Sequence, residues 1–475
     1  MAAIRGAWLR RWLLALSVIG LSGVAYAQTD GGAVAAVAAV ATATNAAPAA
    51  PAVPTAASVN SGDTAWVLIS SALVLLMTIP GLAFFYGGLV RRKNVLSILM
   101  QCFMLMCLIS LQWVVFGYSL SFGPDVKGII GNLSWAGLKH VSFDTPHWDV
   151  ATASSYAGTI PHQTFMIFQM MFAVITPALI LGAFAERMKF SAFCVFSLLW
   201  ATIVYDPVCH WVWGKSGFLS NMGTLDFAGG TVVHINAGIA ALAAALVMGK
   251  RVGYPDKISP PHNLPFAVLG AGLLWFGWFG FNAGSALSAG GLATCAFVAT
   301  HVATAAAGLT WAVMDWMINK RPTVLGVISG AVAGLVAITP ASGFVTPLGA
   351  ICIGVGAGIL PWIFVSIVKP KFGYDDSLDA FGVHGIGGLW GALATGLWAT
   401  KAVNSAGNDG LFYGNPAQFL IQLKASLITV VYAFVVTFIL LKLVDAVIGL
   451  KVNDHEERIG LDLTQHRESG YTMLD

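Results

Sequence analysis

From Phe227 to Gly249 the chain reads FAGGTVVHINAGIAALAAALVMG, a stretch with no charged residue and a single histidine, His234. A bilayer core ~30 Å thick takes about 20 apolar residues as a helix, because only a helix or a closed barrel satisfies its own backbone hydrogen bonds in lipid. The stretch is long enough to cross. An imidazole inside it is costly there unless it faces a partner, a cavity or a path.

Similar apolar runs recur along the chain. With 475 residues, 57% of them hydrophobic, 9% charged and 53 glycines, the composition excludes a soluble domain with a polar skin and indicates an all-α polytopic membrane protein set in a lipid bilayer. Eleven transmembrane helices are predicted at 63–90, 95–122, 160–185, 190–213, 227–249, 264–284, 291–318, 323–340, 345–368, 379–400 and 417–449. The last is the longest, with Lys424 and Lys442 placed to snorkel.

The ends differ in character. Arg5, Arg10 and Arg11 precede WLLALSVIGLSGV and an Ala25-Tyr26-Ala27 site, so residues 1–27 read as a cleaved signal peptide, with an uncleaved extra helix as the alternative. Residues 28–60 are rich in alanine and proline and read as an exported linker. The transmembrane domain occupies 61–450, and the polar segment 451–475 reads as a cytoplasmic tail, either solvated or docked. Basic residues fall in alternate loops, at Arg91, Arg92, Lys93, Arg187, Lys189, Lys250, Arg251, Lys320, Arg321, Lys369 and Lys371. The positive-inside rule makes those loops cytoplasmic, with the mature N-terminus outside and the C-terminus inside. The six cysteines lack CxxC spacing, so neither a zinc site nor a disulfide framework is indicated. No basic block points to nucleic acid. Nothing resembles a nucleophile with its base, so no enzyme and no cofactor is expected.

The first ten helices split into halves. The fifth carries Asp226 ahead of TVVHINAG and the tenth carries Asp379 ahead of FGVHGIGG, a valine-histidine pair in each. Five is odd, so such halves form inverted repeats, whose substrate path lies at their interface near the midplane. His234 and His384 then approach each other along one pathway. The alternative is that each imidazole is interhelical glue.

Five stretches, MTIPGLAFFYGGLVRRKNVLS, DFAGGTVVHINAG, PHNLPF, GWFGFNAGSA and FGVHGIGGLWG, resemble the ammonium transporter family (Amt/Mep/Rh, bacterial Amt type), over about Ser61 to Tyr471. The resemblance implies a homotrimer in the inner (cytoplasmic) membrane, each subunit with its own pore for ammonium and ammonia. It implies an outer recruitment site at Phe168, Phe172, Trp213 and Ser285, and a gate of stacked rings at Phe172 and Phe281. Below the gate it implies the pore pair His234 and His384, hydrogen-bonded to each other, with Trp278 alongside. Each aromatic has the competing reading of core packing or interfacial belt. Asp226 is expected to organise the cation site without touching substrate, or to cap its helix.

Physical chemistry suits these assignments. Ring faces attract a cation by roughly 0.5 to 2 kcal/mol, and a serine hydroxyl accepts a hydrogen bond from ammonium that potassium cannot offer. A cation in a narrow apolar channel faces a desolvation cost of several kcal/mol, on the scale of other buried ions, whereas neutral ammonia does not. The expected mechanism is cation capture, deprotonation, ammonia passage past the histidines and reprotonation, with net electrogenic uptake. EERIGLDLTQH, residues 456–466, is similar to the family's tail, which implies a trimeric PII-type signalling partner. An ammonium sensor and a passive Rhesus-type ammonia channel are the alternatives.

Overall fold

A computed structural model gives the architecture, and it describes residues 58–148, 155–256 and 260–471. The signal peptide and nearly all of the exported linker lie outside the described residues.

Nine described helices are long and apolar enough to cross a membrane. They are α1 (Ser61–Leu89), α2 (Arg92–Phe122), α3 (His162–Phe184), α4 (Phe190–Asn221), α5 (Gly230–Met248), α6 (Leu264–Gly284), α7 (Gly291–Asn319), α9 (Pro347–Phe372) and α11 (Pro416–Val447). Between them stand the shorter α8 (Val324–Ile338) and α10 (residues 381–398). All eleven segments thus occur where the sequence places spans, with two of them short. Buried small residues let these helices approach closely.

α5 and α10 occupy the centre. Over its most apolar stretch α11 is 33% buried, α5 83% and the adjoining α3 94%, and no residue of α10 is exposed. Their contact is made by glycine: a Cβ on Gly238 would lie 2.0 Å from the Gly385 backbone nitrogen, and one on Gly388 would lie 2.9 Å from His234 Cβ. Each of these glycines stands four residues after its own helix's histidine.

Both central helices start late, for a reason the sequence partly hides. Gly229, at φ +114°, turns the chain into α5, so this helix begins at Gly230 and not at 227. At the head of α10 the aspartate paired with Asp226 is not Asp379. Asp379 has φ +60° and bonds Lys369 Nζ at 2.6 Å. The residue that receives backbone N–H groups is Asp376, at 3.1 Å from Ala380 N and 2.8 Å from Phe381 N. Asp226 and Asp376 each precede their histidine by eight residues, so the correct repeat unit is aspartate, histidine and glycine at matching intervals. The expectation for Asp379 fails because proximity in sequence does not fix which carboxylate turns back onto the helix.

The end of the bundle opposite Trp213 is closed by side-chain ion pairs and by the C-terminal segment. Glu186 receives Arg91 Nε at 2.9 Å and Arg251 Nη1 at 2.9 Å, while Arg251 also holds Asp375 at 2.8 Å. The tail, with α12 (Asp454–Ile459) and α13 (Leu461–His466), packs there. Val452 N donates to Arg187 O at 3.0 Å. Val252 N donates to Glu457 Oε1 at 2.6 Å, Leu461 N to Asn94 Oδ1 at 2.8 Å and Ser97 N to Asp462 Oδ1 at 2.8 Å. The tail is docked, and the solvated alternative does not hold for these residues.

Candidate functional site: an aromatic mouth above two buried histidines

Asp226 builds the mouth. Its Oδ1 accepts from Gly229 N at 2.9 Å and Gly230 N at 2.6 Å, and its Oδ2 from Thr231 N at 2.8 Å and Val232 N at 3.1 Å. A helix start leaves its first N–H groups without intrahelical partners, and a carboxylate is the strongest acceptor for them. The capping alternative is therefore realised. The same residue also orients an aromatic, because its backbone carbonyl accepts Trp213 Nε1–H at 2.9 Å. Its carboxylate caps α5 while its carbonyl fixes the indole.

From Trp213 the rings descend in sequence. Phe172 meets Trp213 edge-on, with centroids 5.7 Å apart at 89°. Phe172 and Phe281 lie 4.3 Å apart at 42°. Both phenylalanines are buried, whereas Trp213 and Ser285 are partly open. Phe168 is fully buried, edge-on to Phe172 at 5.0 Å and pressed on Gly284, so it supports Phe172 from behind. Ser285 follows Phe281 by one turn and donates its hydroxyl to the Phe281 carbonyl at 2.8 Å, which leaves its oxygen lone pairs as acceptors.

Beneath Phe281 a cavity opens. It is lined by His234, His384, Trp278, Phe281 and otherwise aliphatic or aromatic side chains, among them Leu179 and Val332. The two imidazoles are nearly parallel, 14° apart in plane, with centroids 5.4 Å apart. Trp278 lies 5.4 Å from His234 at 20°. His234 and His384 are 1% and 3% exposed. Neither ring nitrogen of His234, nor Nδ1 of His384, has a hydrogen-bond partner. The direct hydrogen bond that the family resemblance implies between the rings is therefore not made in this structure; the close Gly238 and Gly388 contacts set the helix spacing, and the rings face each other without bonding.

The structure thus brings Phe168, Phe172, Trp213, Phe281, Trp278, His234 and His384 into one column, with Ser285 at the C-terminal cap of α6, the helix that carries Phe281. Sequence reasoning missed Asp376, and it missed Thr339, whose hydroxyl accepts Trp278 Nε1–H at 2.9 Å. An eight-residue interval from aspartate to histidine was the available signal for the first. No pattern in the sequence marks the second.

Comparisons with known proteins identify the family. The profile of the Ammonium Transporter Family matches residues 65–471. An ammonium transporter of Bacillus subtilis is 54% identical over 410 residues, covering 86% of this chain and 98% of the relative. The crystal structure of Saccharomyces cerevisiae Mep2 superposes with a TM-score of 0.77 at 36% identity, covering 84% of this chain and 88% of that one. A structure named a sensor Amt protein superposes with a TM-score of 0.75 at 30% identity, covering 85% and 98%. A profile match across most of the chain and a relative sharing half its residues identify this multi-pass membrane protein as a member of the ammonium transporter family.

Proposed function

We propose that this ammonium transporter captures the cation at Trp213, Phe172 and Ser285 on the outer side of the inner membrane and passes ammonia between His234 and His384. The observation that carries this reading is a pair of buried imidazoles, with three unpartnered ring nitrogens, in an otherwise apolar cavity beneath two packed phenylalanines. Buried polar atoms without partners are rare. A small amine offers hydrogen bonds to such nitrogens, and a metal cation does not.

The rings above supply the other half. Trp213 and Phe172 attract the cation, Ser285 accepts one of its N–H groups, and the Phe172–Phe281 contact makes passage of a bare ion unfavourable. Ammonium releases a proton there and ammonia continues. Beyond the histidines it takes up a proton again. The released proton crosses as well, so each turnover moves one positive charge inward. Three such subunits form the working trimer, with the N-terminus outside and the docked tail on the cytoplasmic side, where a PII-type protein reads it.

A sensing role is the second reading, favoured by the likeness to a structure named a sensor Amt protein. Flux and current recorded on one preparation in liposomes test both. Ammonium-dependent inward current that scales with ammonium flux is expected. Flux without charge movement contradicts the electrogenic step, and ammonium binding without flux selects the sensor.

A further inference from the structure

We propose that Thr339 is a positioning residue for transport: it holds the indole plane of Trp278, and through it the imidazole of His234, in the conducting orientation. The inference rests on the histidine-pore reading above and assigns that site a support outside the pore lining.

No hydrogen bond orients His234, because both of its ring nitrogens lack partners. Its plane is set by packing alone. The surfaces around the ring are Trp278 at 5.4 Å and 20°, Phe281 at 6.0 Å and 25°, and His384 at 5.4 Å and 14°. A phenylalanine ring has no polar atom to fix it. Trp278 has one, and it is used: Nε1–H donates to Thr339 Oγ1 at 2.9 Å, and the bond is buried.

Thr339 is itself held in one direction. Its single hydroxyl proton goes to Leu335 O at 2.8 Å, which leaves lone pairs for the indole. It sits at the end of α8, fully buried, with its backbone N–H on Val336 O at 3.3 Å. The order of constraint therefore runs from the last turn of α8, through the threonine oxygen, to Trp278 and then to His234. Without that acceptor the indole N–H is left a buried, unsatisfied donor, so the ring turns to seek another partner and takes the flat wall from His234.

The test uses the full chain in liposomes. Thr339→Val keeps the shape and removes the acceptor; Thr339→Ser keeps the acceptor. The expected result is an ammonium flux lowered on the order of tenfold by valine and restored to within about twofold by serine. The indole N–H band of Trp278, read by ultraviolet resonance Raman against a Trp278→Phe control, moves with valine and not with serine. In the Trp278→Phe background, which has no N–H to hold, Thr339→Val has no further effect. Unchanged flux with a shifted band overturns the proposal, as does an equal loss of flux in the Trp278→Phe background. His384→Ala in the same assay separates the two levels: if it is impaired while Thr339→Val is not, only this inference fails, and if it transports normally, the pore reading itself fails.

Discussion

Gly238 of α5 and Gly388 of α10 occupy equivalent places, each four residues after a histidine and each against the other helix's histidine segment. The two contacts differ in what they leave free. A Cβ at Gly238 runs into the Gly385 backbone nitrogen at 2.0 Å; at Gly388 it meets His234 Cβ at 2.9 Å and the Ile235 backbone nitrogen at 3.0 Å, so the helices there need to part far less. Overpacking a close helix contact costs typically 1 to 3 kcal/mol, and more when backbone must move. Gly238→Ala is expected to lower the melting temperature in detergent more than Gly388→Ala does, and both are expected to reduce flux. Equal melting temperatures for the two variants and the unaltered protein contradict the close approach.

Asp226 separates two functions that are easily confounded. Its carboxylate caps α5, while its backbone carbonyl holds Trp213. Asp226→Asn preserves one acceptor oxygen and the carbonyl, so a folded protein with stability reduced by about 1 to 2 kcal/mol is expected. Asp226→Ala loses the acceptors of all four N–H groups and is expected to be destabilised further. Thermal melting and flux of both variants check the order; an alanine variant as stable as the asparagine one contradicts the capping account.

How much of this was legible follows from what sequence encodes directly. Span positions were, because lipid demands unbroken apolar helices, and the alternating basic loops mark one end of the bundle. His234 and His384 stand out because a titratable group in such a span needs an explanation. Asp376 did not, since Asp375, Asp376 and Asp379 all lie ahead of His384 and only the backbone turn selects which one caps. Thr339 was invisible for another reason: a threonine at a helix end is ordinary, and its meaning comes from an indole 61 positions away. The docked tail was only half legible, as its partners Asn94, Ser97 and Val252 are scattered along the chain.

Trp213 is expected to govern capture more than passage. Its ring is partly open and stands edge-on to Phe172, above the Phe172–Phe281 contact. Trp213→Leu keeps an apolar surface but loses the aromatic face, worth roughly 0.5 to 2 kcal/mol for a cation. An increase in KM of about 2- to 30-fold, with a smaller change in maximal flux, is the expected outcome in concentration-dependent current recordings. A fall in maximal flux with KM unchanged contradicts the recruitment role.

Acid should loosen the opposite end of the bundle. Burial tends to raise the Glu186 carboxyl, but Arg91 and Arg251 outweigh it and hold the group below its ordinary value of 4.5. A depressed acid contributes stability that is complete above the unfolded value and is lost as pH falls through the folded one. Melting temperature is therefore expected to fall as pH drops below 4.5, and part of that fall should be missing in Glu186→Gln. At neutral pH the same variant leaves two guanidinium groups with less compensation and should be less stable by about 3 kcal/mol. A variant with an unaltered acid profile contradicts the assignment.

Ammonia is proposed to pass between two imidazoles whose free nitrogens accept its N–H groups and gain no hydrogen bond from potassium, and His384→Ala in liposomes is the decisive variant. Currents in ammonium and in potassium, measured on a preparation that elutes as folded protein, report rate and selectivity together. Selective ammonium current is expected to be abolished or degraded. An unchanged current with unchanged exclusion of potassium would reduce the histidines to interhelical glue and contradict that proposal.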